Sequence, residues 1–510
     1  MVRLTCIFLT SLIVLVACGP EVQEEITAAE LSDHVAFLAS DALGGRFTGS
    51  PGIAEAEKYI ADLFAGLGLS PLPGEDDYFL EFNLRTMAYD PRRTLLEVDG
   101  DRYVLGEDFK PFSFSSEGSV EAEIIFAGYG ITAPEYDYDD YADLDVRGKI
   151  VLIMRHEPDE TGNTGRFAGK RHTRHAYFRA KAVNAAAHGA AGMLLYTDPM
   201  HHPDDDDLRV RPVYEFVDDT HERDSSTVPP ITDGFVAFHI SRKTAGALLP
   251  GVDLVKLQAA VDSGIAISEA VGGAIDRLKA RISQYIDTSG QLIDARNVAA
   301  FLPGQNSKAD EWIVVGAHHD HIGSFSGTGD TIYNGADDNA SGVAGVVELA
   351  EQFAANPPER SIVFMTFSAE EIGLYGSYAL DEYDLLDFGK IGFMLNLDMI
   401  GRNPGEPVTI YGDGLAEGLT ALITKANKNH DIEIDLQGDT YEPFSDIAVF
   451  HDNRIPFLML FTGEHEDYHG TGDHAEKLDY VRMEKLLCLS YDIVNLVAGA
   501  TRLPVFKRYP

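Results

Sequence analysis

Hydrophobic positions along the chain fall into two textures. From residue 296 onward, short apolar runs alternate with amphipathic stretches: "NVAAFLP", "WIVVGAHHD", "SIVFMTFSAEE", "IGFMLNLDMIG", "PVTIYG" and "IPFLMLFTG" read as strands. Between them "SGVAGVVELAEQFAA", a segment near 374–386, "LAEGLTALITKANK" and a final stretch at about 480–498 repeat their apolar residues at helical spacing. Near-continuous apolar strands separated by helices predict a mixed, mostly parallel sheet covered by helices on both faces.

The first half reads differently. Two helices, "ELSDHVAFLAS" and "GIAEAEKYIADLFAGLGL", open it, the second stopped by Gly66 and Gly68. After about residue 95 come short β-rich runs broken by Gly, Pro and Asp: "RTLLEVDG", "SVEAEIIFAGYG" and "GKIVLIMRH". An Ala-rich helix, the strand "GMLLY", a polar loop "HHPDDDDLRV" and the strand "GFVAFHI" follow, and a helical connector is expected over about 254–284. The aspartates at 204–207 lack the Gly-punctuated spacing of a calcium loop, so a solvated acidic loop is the plainer reading.

At 510 residues the chain exceeds the size at which one core stops growing, so more than one domain is expected. Its 82 acidic against 40 basic residues give a net charge of −42, which excludes nucleic acid as a partner. At the N-terminus Arg3 precedes an apolar run, Leu4 to Ala17, too short to span a bilayer comfortably and ending in "LVAC". This resembles a bacterial lipoprotein signal. It implies a signal peptide over 1–17, a lipid on Cys18, a tether over 18–26 and an exported, membrane-anchored protein, facing the periplasm or the cell surface. Cys6 falls within the signal, and Cys488 sits in an apolar stretch as a core residue, so no disulfide is expected.

The chemistry concentrates at strand ends. In open α/β sheets, active sites lie outside the carboxyl ends of the strands. Here those ends carry His318, His319, Asp320 and His321; Glu370 and Glu371; Asp398; and His465, Asp467, Tyr468 and His469. The glycine-flanked turn "NGADDNASG" adds Asp337 and Asp338 before a helix. So many carboxylates at one edge repel one another unless positive charge lies between them. Two divalent metals supply it, and nitrogen and oxygen donors without cysteine suit zinc. Within "HHDH", strand alternation pairs His318 with Asp320 and His319 with His321, and spacing leaves open which pair faces the metals.

"GAHHDHIG", "NGADDNASGVAGVVELA", "SAEEIGLYGS", "LNLDMIGR" and "DYHGTGD", in this order, resemble the co-catalytic zinc peptidase family that includes aminopeptidase Y and the glutamate carboxypeptidases. "LGGRFTGSPG" resembles the N-terminal motif of its bacterial members. The segment from "AGYGITAPEYDYDDYADLDVRGKIVLIMRHEP" to "KAVNAAAHGAAGMLLY" resembles a protease-associated (PA) domain. The resemblance implies a zinc exopeptidase fold over 27–108 and 254–510, interrupted by a β-rich PA-like domain over 109–253 that acts as a lid, a positioning surface or a passive insert.

Carried over by motif, His318 and Asp398 hold one zinc, Glu371 and His469 the other, and Asp338 bridges them. Asp320 partners His318, and His319 and His321 are not ligands. Glu370 is the general base toward a metal-bridging water or hydroxide, and Tyr468 stabilises the oxyanion. A cis bond is implied after Asp338. Many relatives read "SDH" where this chain has "SDI", Ser445 to Ile447, so a role for that histidine is absent. His465, in "HEDYH", offers an alternative to His469 as ligand.

The implied activity is aminopeptidase cleavage of peptides by two Zn²⁺ per chain. A carboxypeptidase on the same scaffold would need a basic side chain for the terminal carboxylate, with Arg402 and Arg454 as candidates. A single-zinc glutaminyl cyclase and a non-catalytic binding protein are the remaining alternatives. Side-chain preference and oligomeric state are not legible.

Overall fold

The computed structural model describes residues 26–160, 167, 173–203, 208, 210, 212–217, 231–232, 234–271, 278–438 and 445–507. The signal segment with Cys6, Cys18, the tether up to residue 25 and the aspartates at 204–207 lie outside them. Among the described residues, no helix is long and apolar enough to cross a membrane.

Two sheets organise the chain. The larger runs, edge to edge, Val213–Phe216, Phe79–Tyr89, Leu292–Leu302, Ser361–Phe367, Trp312–His318, Ile391–Leu397, Phe457–Phe461, Val408–Tyr411 and Ile434–Leu436. Its four central strands, Ser361–Phe367 through Phe457–Phe461, are mutually parallel. Antiparallel pairing borders them on both flanks, and the outermost pair, Val408–Tyr411 with Ile434–Leu436, is again parallel. This is a mixed α/β sheet, parallel where helices cover both faces.

The parallel centre is apolar throughout: Ile313, Val314 and Val315 are fully buried, each worth about 1.5–3 kcal/mol. On one face lie the helices Ala28–Leu38, Pro51–Gly66, Gly342–Ala355 and Tyr480–Gly499. Ser50 caps the second of these, whose first residue is Pro51. The helix Gly342–Ala355 approaches closely because it begins with glycine. A Cβ at Gly342 would stand 2.4 Å from the carbonyl oxygen of Leu397, immediately before Asp398. Small residues here thus hold a helix against the strand end that carries a candidate ligand.

The second sheet runs Asp101–Tyr103, Leu95–Val98, Lys279–Gln284, Gly118–Phe126, Ile150–Met154, Gly192–Tyr196, Val236–Ile240 and Phe109–Pro111. Its strands reach from residue 95 to residue 284, wider at both ends than 109–253. The stretch expected to be a helical connector holds a helix, Leu254–Asp262, but ends in the strand Lys279–Gln284. That strand alternates buried Ala280 and Ile282 with outward Lys279 and Arg281, a period of two rather than 3.6.

The insert also gives a strand back. Val213–Phe216 pairs antiparallel with Phe79–Tyr89, matching Leu84 to Phe216 and Thr86 to Tyr214. The Tyr375 hydroxyl donates to the carbonyl of Tyr214 and fastens this strand to the start of the helix Tyr375–Glu382, just after Glu370 and Glu371.

Candidate metal centre

The candidate residues arrive from five segments. His318 is the last residue of Trp312–His318, and Glu370 and Glu371 follow Ser361–Phe367 by three and four positions. Asp398 follows Ile391–Leu397, while His469 and Tyr468 lie on the loop after Phe457–Phe461. Asp338 sits in the turn before the helix Gly342–Ala355. Gly335 enters that turn at φ 59°, and a Cβ there would strike the Asp338 carbonyl at 2.3 Å and the His321 ring at 2.5 Å. The Asp338–Asn339 peptide bond is cis.

Asp338 is the hinge of the arrangement. Its Oδ1 lies 3.3 Å from Nε2 of His318, and its Oδ2 lies 3.1 Å from Nε2 of His469. Its two oxygens therefore face two different imidazoles. On the first side, His318 Nε2 is also 3.6 Å from Asp398 Oδ1. On the second, His469 Nε2 is 3.2 Å from Glu371 Oε2. All five side chains converge, all but His469 nearly enclosed.

Two sets of donor atoms lie within 4.8 Å of one another: His318, Glu370 and Asp398, and His321, Asp338 and Glu371. The first places the Glu370 carboxylate beside one ligand pair. The second brings in a residue assigned no ligand role. His321 Nδ1 stands 2.7 Å from Glu371 Oε1 and 3.8 Å from Asp338 Oδ2. Its Nε2 is buried without a hydrogen-bond partner. The alternation argument fails at this point because strand pairing ends at His318 and the chain turns. His319 alone is directed away, its Nδ1 3.0 Å from the Thr366 hydroxyl.

Asp320 does more than accompany His318. Its carboxylate stands 3.8 Å from His318 Nδ1, whereas its own carbonyl is nearer, at 3.2 Å. Its oxygens accept the backbone N–H groups of Glu370 at 3.0 Å and Glu371 at 3.3 Å, and the Thr48 hydroxyl at 3.3 Å. Asp320 thus fixes the loop that presents both glutamates.

Several residues inside the quoted motifs, given no role there, support the site. Ser445 donates to Asp398 Oδ2 at 2.7 Å. Asp473, fully enclosed, accepts the N–H groups of Asp337 and Asp338. Arg46, within "LGGRFTGSPG", is buried and donates to four carbonyls: Leu38 at 2.5 Å, Asn334 at 2.6 Å, Gly335 at 2.9 Å and His319 at 3.0 Å. One guanidinium so ties the first helix to both the His318 strand end and the Asp338 turn. Only the five-donor fork of arginine spans these acceptors. Burial lowers it to about 10, with Asp320 and Asp338 opposing, so it stays charged at neutral pH.

Of the alternatives, His465 pairs with Asp337 at 3.4 Å rather than with Asp338. Arg402 is engaged by Asp467 at 2.8 Å and Asp473 at 3.8 Å, and Arg454 lies exposed on the surface.

The electrostatics divide the carboxylates. Burial pushes Asp338 and Glu371 up, but the neighbouring imidazoles outweigh it, holding Asp338 well below its usual range and Glu371 at about 2. Burial raises Glu370 well above its usual range; Glu371, Asp446 and Asp398 add to the rise, with His318 opposing. One adjacent glutamate is thus held as an anion, while the other holds a proton more tightly and is the stronger base once ionised. Although the Tyr468 side chain is 37% exposed, desolvation of its hydroxyl and the carboxylates of Asp338 and Glu371 push it well above its usual range, so it stays protonated. Its ring stacks on His469 at 3.9 Å.

The donor set fits two divalent ions. Buried carboxylates converge with imidazoles as their near partners, one carboxylate facing both sides, and no thiol is present. A cavity of about 1600 Å³ opens onto the site. Lys110, Phe112 and Tyr214 of the insert line it together with Glu370, Tyr468 and Glu464.

Residues 297–492 match the model of Peptidase family M28, and residues 120–248 match the PA domain. The chain is similar to Aminopeptidase YwaD of Bacillus subtilis (strain 168), 24% identical over 70% of this chain and 65% of that protein. It is also similar to Leucine aminopeptidase 1 of Ajellomyces dermatitidis, 33% identical over 42% of this chain and 59% of that one. The chain thus spans less than two thirds of the length of these curated relatives. In fold it resembles the aminopeptidase from Aneurinibacillus sp. strain AM-1, with a TM-score of 0.57 at 22% identity over 96% of this chain and 98% of that one. It also resembles BSAP, a zinc aminopeptidase from Bacillus subtilis, with a TM-score of 0.52 at 19% identity over 95% and 99%. The chain therefore has a region that matches the M28 peptidase model and another that matches the PA domain, on a fold shared with these solved structures.

Proposed function

We propose that this chain is a zinc aminopeptidase with two ions per molecule, removing N-terminal residues from peptides. The observation that carries the reading is Asp338, whose two carboxylate oxygens face His318 and His469 separately. His318 and Asp398 would hold one zinc, and Glu371 and His469 the other. When bound, the ions polarise the scissile carbonyl and make a water acidic enough to react at neutral pH.

The remaining work falls to side chains. Glu370, raised by burial, accepts a proton from the attacking water and returns it to the leaving amine. Asp320 is a positioning residue that holds Glu370 by its backbone N–H. The Tyr468 hydroxyl donates to the developing oxyanion. Glu464, on the loop of Tyr468 and His469, gives the cavity a carboxylate suited to an α-ammonium group. Neither arginine serves a carboxypeptidase, since Arg402 is engaged by aspartates and Arg454 stands outside the cavity; Lys110 is the basic side chain on its lining, so the substrate test decides between the two readings.

The test pairs an aminoacyl-anilide with an N-blocked dipeptide. Hydrolysis of the anilide, lost on chelation and restored by zinc, is expected. Cleavage of the blocked dipeptide alone would point to a carboxypeptidase, and hydrolysis of neither would overturn the reading. The "LVAC" segment supports export and a lipid anchor on Cys18. Metabolic labelling with a fatty acid should mark the wild type and not Cys18→Ala.

A further inference from the structure

The insert carries a second convergence of metal-type donors, remote from the centre above. His156 lies two residues beyond the strand Ile150–Met154, and Asp198 lies two beyond Gly192–Tyr196. These strands are parallel neighbours in the smaller sheet. Their carboxyl ends are thus adjacent, the same topological position the peptidase region uses for its own site. The loop after the first strand turns sharply, with His156 at φ 57° and Asp159 at φ 62°, and brings Glu160 back toward the second. The loop after the second strand supplies His202.

Donor atoms of His156, Glu160, Asp198 and His202 all lie within 4.8 Å of one another. His156 Nδ1 is 2.5 Å from Asp198 Oδ1, and His202 Nε2 is 2.8 Å from Glu160 Oε1. The two imidazoles stack with centroids 3.8 Å apart at 26°. Asp198 is fully enclosed and His156 5% exposed. Around this set stand supporting groups of the kind that orient metal ligands. Gln258 donates to Asp198 Oδ2 at 3.0 Å and accepts the N–H of Met200 at 2.8 Å. His201 Nδ1 lies 3.4 Å from Glu160 Oε2, a fifth donor at the margin.

Two histidines and two carboxylates make a four-donor set for a tetrahedral dication. A zinc tetrahedron with ligands at about 2.0–2.1 Å has edges of about 3.4 Å, so the four groups need only small adjustments. Their two negative charges neutralise one M²⁺ in a site that is largely enclosed. A calcium ion is disfavoured, since it takes six to eight oxygens.

We propose that His156, Glu160, Asp198 and His202 form a structural zinc site that staples the strand-end loops of the insert. It is distinct from the two-metal centre and takes no part in hydrolysis. The rival explanation is a buried histidine–carboxylate network that binds no metal.

The test is zinc stoichiometry of the full-length chain, measured by elemental analysis after loading and removal of free metal. It compares wild type with His156→Ala/His202→Ala. The double variant should lose one equivalent, keep anilide hydrolysis, and no longer gain unfolding temperature from zinc at that site. Equal zinc in both chains, with equal thermal response, would overturn the proposal. Because the readout is a difference, it is independent of how many ions the other centre holds. Should the double variant fail to fold, His202→Ala alone, at the less buried edge, serves instead. It should then require a higher free zinc concentration to retain the extra equivalent, and unchanged retention would overturn the site equally well.

Discussion

The two sheets place polar side chains at the same topological position and use them differently. At the carboxyl edge of the larger sheet, the proposed ligands come from five segments, open onto a cavity and leave Glu370 beside them with a raised carboxyl. At the edge of the smaller sheet, four donors come from two loops and close on one another, with Asp198 wholly enclosed. A strand end is thus a place where side chains converge, not yet a catalyst. Access to a cavity and a carboxyl raised by burial, that of Glu370, mark the first edge.

The largest effect should separate these roles. Glu370→Gln is expected to lower kcat/KM about 10²–10⁴-fold while zinc content stays at the wild-type level. Loss of metal in that variant would make Glu370 a ligand and blur the contrast. Next comes the scaffold. Arg46→Met strands four buried carbonyls and should destabilise the peptidase region by about 3–5 kcal/mol in denaturant titrations. A change below 1 kcal/mol would mean that the turn holds Asp338 without it.

A smaller effect distinguishes two imidazoles. His321→Ala removes a hydrogen bond to Glu371 and should weaken zinc binding about 10–100-fold, as loss of an outer partner does. His469→Ala should weaken it further. The reverse order, read from competition with a chelator, would make His321 the ligand.

The smallest effect lies in the insert. Burial pushes Asp140 up to about 6 and Lys181 down to about 7. A raised carboxyl contributes stability below its ordinary pKa and loses it as pH climbs toward 6. A lowered amine contributes above its ordinary pKa and loses that contribution as pH falls toward 7. The pair therefore lowers stability most between these values. Asp140→Asn should flatten the fall in unfolding temperature between about pH 4 and 6, by a few degrees. An unchanged slope would count against this titration.

The sequence signal was strong where chemistry is local. "WIVVGAH", "IVFMTFSAEE" and "FMLNLD" each hold an apolar run and a ligand in one stretch, so strand and site were legible together. What stayed hidden depends on distant partners. Val213–Phe216 is four residues in a polar context, and its pairing with Phe79–Tyr89 is set by tertiary packing. Arg46 and Asp473 lie in quoted motifs, but their backbone acceptors and donors are distant in the chain, so the motifs did not show what they do. His321 was grouped with His319 by an alternation rule that lapses where the strand stops, and set aside with it by the family resemblance. The His156 cluster reads in sequence as two ordinary loop ends, and only the parallel register of their strands brings them together.

The central claim is that Asp338 stands between two cations. Anomalous diffraction at the zinc edge, on crystals of the zinc-loaded full-length protein, tests it most directly. Two peaks are expected, one on each side of the Asp338 carboxylate, the first beside His318 and Asp398 and the second beside Glu371 and His469. A single peak there, or none in a chain that still hydrolyses the anilide, would contradict the account.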